Sequence, residues 1–135
     1  MKILLRALLL ALFVVVMVLA VWQSFWPRGF YDNFPTVSLL PPFNEHLMRD
    51  FGFTSLALGV VIGAAAWWLD LRLIVLALVA YLVFAVPHLV FHMAHLEGAT
   101  SGDIAFLVIA LGGSVALPVM TVGVAGRIRQ ATMES

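Results

Sequence analysis

All four histidines of the chain fall in two short segments, and these segments hold the side chains best suited to chemistry. Segments 44–50 and 87–95 contribute these candidates: Glu45, His46, Arg49, Asp50, His88, His92 and His95. The sequence around them is 64% hydrophobic and only 10% charged. Ionisable side chains are costly in hydrocarbon, so those that an apolar protein keeps usually have a role. The question of function therefore narrows to what these side chains do together.

Three of the histidines share one face of a predicted helix. At about 100° per residue, His88, His92 and His95 fall within a wedge of roughly 60°. Two histidines at positions i and i+4 can chelate one metal ion, as in the H-E-x-x-H helix of metalloproteases. We therefore take His88 and His92 as the centre of a predicted metal site. His95 lies nearest the surface and is its weakest member.

The first segment offers complementary groups. Glu45 and Arg49 are spaced i, i+4 and can pair, and so can His46 and Asp50. We expect His46 and Glu45 to add metal ligands. Asp50 would hydrogen-bond to an imidazole and so fix its tautomer, and Arg49 would orient a carboxylate or bind an anionic ligand. Such a set suits zinc, copper(II) or iron, and the spacing does not choose among them.

The residue types present also exclude or disfavour other kinds of site. The chain has no cysteine, which excludes thiolate ligands, thiol catalysis and disulfides. Haem fits less well than a metal ion, because its two axial histidines must approach from opposite sides and His88 and His92 share a helix. Two alternatives to a metal stay open: a hydrogen-bonded network, and a site for a polar molecule.

The elements that must position these residues are membrane helices. A chain of 135 residues with a mean hydropathy of +1.11 is too apolar for a soluble domain and has room for about four spans. Its apolar runs predict an all-α fold in one domain, an integral membrane bundle of four transmembrane helices. We expect these helices at about residues 3–25, 42–69, 73–95 and 104–126, with an outer loop over residues 27–41. Pro41-Pro42 is the predicted start of the second helix, because proline is tolerated in a first turn.

The basic residues predict the orientation. With both termini cytoplasmic, five of the seven basic residues lie inside and two outside, as the positive-inside rule favours. The five are Lys2, Arg6, Arg72, Arg127 and Arg129. The second helix then begins, and the third ends, on the extracytoplasmic side of the cell membrane, where the two histidine segments would meet. The net charge of zero indicates no nucleic-acid partner.

Glycines punctuate two of the predicted spans. Gly59 and Gly63 form a G-x-x-x-G pair in the second, and Gly112, Gly113, Gly123 and Gly126 lie in the fourth. Small residues let helices approach closely in lipid. We expect them to serve packing within the bundle, with a homo- or hetero-oligomer through these faces as the alternative. The remaining predicted partners are membrane lipids.

Three stretches of the sequence together resemble a family. They are Arg28-Gly29-Phe30-Tyr31-Asp32-x-Phe34-Pro35, Phe43-Asn44-Glu45-His46-x-x-Arg49-Asp50-x-Gly52 and Val86-Pro87-His88-x-x-x-His92. This pattern resembles small four-helix integral membrane proteins of actinobacteria and covers most of the chain. The resemblance implies the four-helix topology and implies no activity.

Three functions are compatible with these features. The first is a membrane protein whose outward-facing His/Glu/Asp site binds a metal ion or a small polar ligand. The second is an accessory or assembly subunit of a membrane complex, in which the polar cluster is structural. The third is an enzyme that modifies a lipid or quinone by histidine and carboxylate acid–base chemistry.

Overall fold

The computed structural model describes residues 1–39 and 42–133, with side chains as far as residue 128. These residues form helices only, without a strand: α1 (Lys2–Phe25), α2 (Pro27–Asn33), a 3-10 turn (Val37–Leu39), α3 (Glu45–Trp68), α4 (Leu71–Ala94) and α5 (Ser101–Met133). Within this part of the chain, α1, α3, α4 and α5 are long and apolar enough to cross a membrane. The prediction of an all-α chain with four helices of spanning length is confirmed.

The four long helices share one core. α1 packs mainly against α3, and α4 packs mainly against α5, while contacts between α3 and α4 and between α1 and α5 close the bundle. Every long helix contributes to this core, with Leu9 from α1, Ile62 from α3, Leu78 from α4 and Ala125 from α5 all buried. Apolar side chains such as Ile3 and Val83 remain exposed on the outer faces, as expected where lipid replaces water.

The glycines of α3 serve packing inside the bundle. A Cβ atom added to Gly59 would lie 2.5 Å from Sδ of Met17, and one added to Gly63 would lie 2.8 Å from the ring of Phe13. Both neighbours belong to α1. The close approach of α1 and α3 therefore uses the G-x-x-x-G pair.

The second long helix begins later than predicted. α3 starts at Glu45 rather than at residue 42, and Pro42 precedes it. The side-chain oxygen of Asn44 accepts a hydrogen bond from the backbone N–H of Leu47 at 3.0 Å, which makes Asn44 the N-cap. Glu45 then lies in the first turn, where the helix dipole favours a carboxylate. Pro41, the other half of the predicted start, lies outside the described residues.

The predicted outer loop contains a helix. Pro27 does end α1, but it also occupies the first position of α2, where its missing N–H costs nothing. The amide Nδ2 of Asn33 donates to the carbonyl of Gly29 at 2.8 Å, and the ring of buried Phe30 meets that of Trp22 edge-on at 5.4 Å. The prediction of a loop throughout 27–41 was wrong because this local bonding makes a short helix stable.

The other helix boundaries also differ from the predicted ones, because local capping interactions set them. α3 and α4 are joined by two residues only, Leu69 in the left-handed conformation (φ 53°) and Asp70, whose carboxylate accepts from the N–H of Leu73 at 2.9 Å. α4 therefore begins at Leu71 rather than 73 and ends at Ala94. α5 begins at Ser101 rather than 104, because the side chains of Thr100 and Asp103 accept from each other's backbone N–H. α5 also continues past residue 126 to Met133.

Candidate functional site

The two histidine segments lie at the same end of the bundle. The ring of Phe51 in α3 lies 5.1 Å from the ring of Phe84 in α4, which marks where the two helices meet at this end. Glu45–Asp50 immediately precedes Phe51 in α3, and His88 follows Phe84 by one turn in α4. Because α3 and α4 run antiparallel, both segments lie beyond this aromatic contact.

The first segment is bound to α1 rather than to α4. Nε and Nη2 of Arg49 each lie 2.9 Å from Oε1 of Glu45, one turn earlier in α3. Nη1 of the same side chain donates to the backbone carbonyl of Ser24 at 2.5 Å, near the carboxyl end of α1. That carbonyl lies in the last turn of α1, where helices leave carbonyls without intrahelical partners. Arg49 and Glu45 thus connect α3 to α1.

The close contact beneath Arg49 depends on a glycine. A Cβ atom added to Gly52 would lie 2.5 Å from Oγ and 2.7 Å from the backbone nitrogen of Ser24. Ser24 and Gln23 are buried here, and their Oγ and Oε1 atoms have no hydrogen-bond partner within the described residues. The α1–α3 contact at this end therefore combines a required glycine with two buried polar groups.

His46 and Asp50 lie on the open side of α3. Nε2 of His46 is 3.4 Å from the Asp50 carboxylate, and the two side chains are 88% and 61% exposed. An ion pair so exposed contributes little to stability. His46 is too exposed to belong to the contact between α3 and α4, so the structure does not place it beside His88.

The pair His88 and His92 lies on α4 as its spacing predicts. Their ring centroids are 4.6 Å apart, with the ring planes at 77°. His88 stacks on Phe84 at 4.9 Å, so an aromatic series runs from Phe51 through Phe84 to the two imidazoles. Both histidines are half-buried. The two imidazoles therefore lie side by side on one face of α4, and the stacking on Phe84 limits the rotation of His88.

His95 stands apart from this pair. Its ring stacks on Phe91 at 4.2 Å, and its Nδ1 lies 2.8 Å from the carbonyl oxygen of Phe91. One nitrogen of His95 is thus engaged by the end of its own helix. The weak role in metal binding stays a prediction for this exposed side chain.

The predicted set of ligands is not assembled around one point. Among the described residues, no group of three or more His, Cys, Asp or Glu side chains is arranged to hold a metal ion. What the structure brings together is the pair His88–His92 on α4, the pair His46–Asp50 on α3, and Glu45–Arg49 with Ser24. A metal bound by this chain would start from the two imidazoles of α4.

Three contacts at this end were not predicted from the sequence. Nε of Arg28 lies 2.7 Å from the Asp32 carboxylate, which raises the pKa of Arg28, and its guanidinium lies 5.1 Å from the centre of the Phe43 ring. The i, i+4 spacing of Arg28 and Asp32 was the available signal. No sequence pattern indicates the hydrogen bond from Arg49 to the backbone carbonyl of Ser24, because every residue has such a carbonyl.

Comparison with known protein families, curated proteins and solved structures gives no match to this chain. The four-helix family that the sequence resembles therefore stays a prediction. Function has to be argued from the geometry of the described residues.

Proposed function

We propose that this chain is a multi-pass membrane protein that binds a transition-metal ion through His88 and His92. The proposal rests on one observation, the two half-buried imidazoles side by side at 4.6 Å on α4. Histidine at i and i+4 is a chelating geometry, and imidazole suits zinc, copper(II) and iron. Two protein ligands leave positions for water or for a small polar ligand, which would make the ion accessible rather than structural.

The carboxylates of the first segment would act only after a movement. Glu45 is held by Arg49, and Asp50 lies beside the exposed His46. To join the ion, either carboxylate would have to leave its present partner. We therefore assign the binding step to His88 and His92 alone, and treat Glu45, His46 and Asp50 as side chains at the rim.

The orientation that we propose is the one favoured by the positive-inside rule. Both termini would be cytoplasmic, so the end that carries His88 and His92 would face the extracytoplasmic side. The five basic residues at the opposite end and the two at this end support it.

Metal analysis of the untagged protein, purified in detergent, tests the binding proposal. We expect about one equivalent of zinc, copper or iron per chain, lost in both His88→Ala and His92→Ala. His46→Ala and His95→Ala are the matched controls and should keep the metal, since each removes one imidazole from the same end. Full stoichiometry in the α4 variants, with helicity unchanged by circular dichroism, would refute the proposal, and a Soret band would point to haem.

A subunit of a larger membrane complex is the second candidate, favoured by one face of α5. A Cβ atom added to Gly113 or Gly123 would meet no atom of the described chain within 4 Å, and Ile109 and Met120 are 75% and 57% exposed. These positions are spaced by four, seven and three residues and so form one stripe, the pattern of a helix that packs on another helix in lipid. Arg49 and Glu45 would then be purely structural.

Purification in a mild detergent distinguishes this candidate. A complex that contains the chain, and that is lost in Gly113→Leu while the bundle stays folded, would support it. A wild-type chain that migrates alone as a monodisperse monomer would contradict it.

A further inference from the structure

The opposite end of the bundle holds a cavity beside α1. It has a volume of about 410 Å³, and six residues line it: Lys2, Ile3, Arg6, Ala7, Leu10 and Leu69. One water molecule takes up roughly 30 Å³ in the liquid, so the space is suited to an organic group rather than to a single ion. None of the described residues that line it is acidic. The cavity is therefore positively charged where Lys2 and Arg6 line it and apolar where the other four residues do.

The two cations are held differently. Nε and Nη2 of Arg6 donate to the carbonyls of Ala66 and Trp67, at 3.2 and 3.3 Å, at the carboxyl end of α3. These bonds fix the guanidinium and use two of its five N–H donors, which leaves three for a ligand. Lys2 is exposed in the first turn of α1. A fixed guanidinium beside an exposed ammonium is a combination well suited to a phosphate group.

The apolar part of the cavity is open to the surroundings. Ile3 is 87% exposed and Leu10 is 45% exposed, and both lie on the same face of α1 as Arg6. Trp67 and Trp68, at the same end, are 79% and 68% exposed, as tryptophans at a membrane interface commonly are. The nearest carboxylate in sequence, Asp70, is occupied as the cap of α4. The two positive charges thus lie at the same end as the exposed tryptophans, with apolar surface continuing along α1.

We propose that this cavity binds the headgroup of an anionic phospholipid. Lys2 and Arg6 would contact the phosphate, and the face formed by Ile3, Ala7 and Leu10 would contact the acyl chains. The lipid would bridge α1 to the end of α3 through Arg6. This site is separate from His88 and His92, which lie at the other end of the bundle.

Native mass spectrometry of the delipidated full chain, titrated with lipid, tests the proposal. We expect one dioleoylphosphatidylglycerol to bind in preference to dioleoylphosphatidylcholine. Lys2→Gln and Arg6→Gln should each weaken this binding about fivefold, the factor expected for the loss of about one direct hydrogen bond to the phosphate. Arg127→Gln is the matched control, because it removes one positive charge near the same end but outside the cavity, and its binding should stay within about twofold of wild type.

Several results would overturn the proposal. Equal binding of the two lipids would exclude charge recognition, and a loss in Arg127→Gln as large as in Lys2→Gln would exclude a localised site. Glycerol 3-phosphate binding as tightly as the lipid would exclude the acyl-chain contact. Arg6→Gln also removes the bonds to α3, so Lys2→Gln, which leaves those bonds in place, decides the outcome if the Arg6 variant does not fold.

Discussion

The side chains at the end of the bundle that carries the histidines differ in their contacts, although the sequence presents them as one cluster. His88 and His92 are stacked against aromatic rings and share one helix face, whereas Arg49 is committed to Glu45 and to the carbonyl of Ser24. A guanidinium bound to a carboxylate and to a helix-terminal carbonyl stabilises a contact. We therefore assign recognition to the imidazoles and stability to Arg49.

Replacing Arg49 tests this division. Arg49→Gln loses the ion pair and leaves the Ser24 carbonyl without its donor, so we expect the free energy of unfolding to fall by about 1–2 kcal/mol, discounted for partial exposure. Metal binding at His88 and His92 should be unchanged. Unfolding in a detergent of graded denaturing strength measures the first effect, with Arg28→Gln as the control. Arg28 also pairs with a carboxylate one turn away but lies on the surface, so its loss should have no measurable effect.

One result would contradict this division between Arg49 and the imidazoles. An Arg49→Gln protein of wild-type stability that no longer binds metal would make Arg49 part of the binding site and reverse the assignment.

At the scale of the elements, the rotation of α3 decides which side chains meet. Gly52, Gly59 and Gly63 all face α1, and this sets the direction in which Arg49 points. With α1 so close, His46 and Asp50 turn outward. The antiparallel run of α3 and α4 places the two histidine segments at one end, and the pairing of α1 with α3 is the reason why they do not form one ligand cluster there.

Gly52→Ala tests the importance of this contact. The added methyl group would lie 2.7 Å from the backbone nitrogen of Ser24, an atom that cannot move independently of α1. We expect a loss of about 1–3 kcal/mol in the free energy of unfolding, the usual range for overpacking. Gly113→Ala is the matched control, because a Cβ atom there meets nothing within 4 Å in the described chain, so it should be neutral or slightly stabilising. Equal stability of the two variants would show that α1 and α3 are not in close contact at Gly52.

Some features of these helices could be predicted from the sequence and others could not. The four long helices were predictable because apolar runs of spanning length allow few other structures. The start of α3 was placed too early because Pro42 suggested a first turn, whereas the cap formed by Asn44 decides it. The His88–His92 face was predictable since it depends on one helix alone. The contact of Arg49 with Glu45 was predictable from its i, i+4 spacing, but its bond to the Ser24 carbonyl was not, because it depends on how α3 is rotated against α1.

The two ends of the bundle are chemically different. One end carries the paired imidazoles and the arginine-bound contact, and the other carries the cavity lined by Lys2 and Arg6. Between them, residues 7–22, 51–69, 73–87 and 104–126 contain no Asp, Glu, Lys, Arg or His. This argues against a path for charged solutes through a single copy and favours two separate sites.

The proposed orientation can be tested with single cysteines, since the chain has none. We expect Ser38→Cys, in the exposed 3-10 turn, to react in intact cells with a maleimide that does not cross membranes. Gln130→Cys, beyond the fourth span, should react only after the cells are opened. The reverse pattern would contradict the orientation and place His88 and His92 on the cytoplasmic side.

The most direct test of the proposed site is X-ray absorption at the edge of the metal that the purified, untagged protein carries. We predict two imidazole nitrogens in the coordination sphere, completed by oxygen ligands, with fewer imidazoles in His88→Ala and an unchanged spectrum in His46→Ala. A protein that binds no zinc, copper or iron, or a metal whose coordination survives His88→Ala intact, would contradict metal binding by His88 and His92.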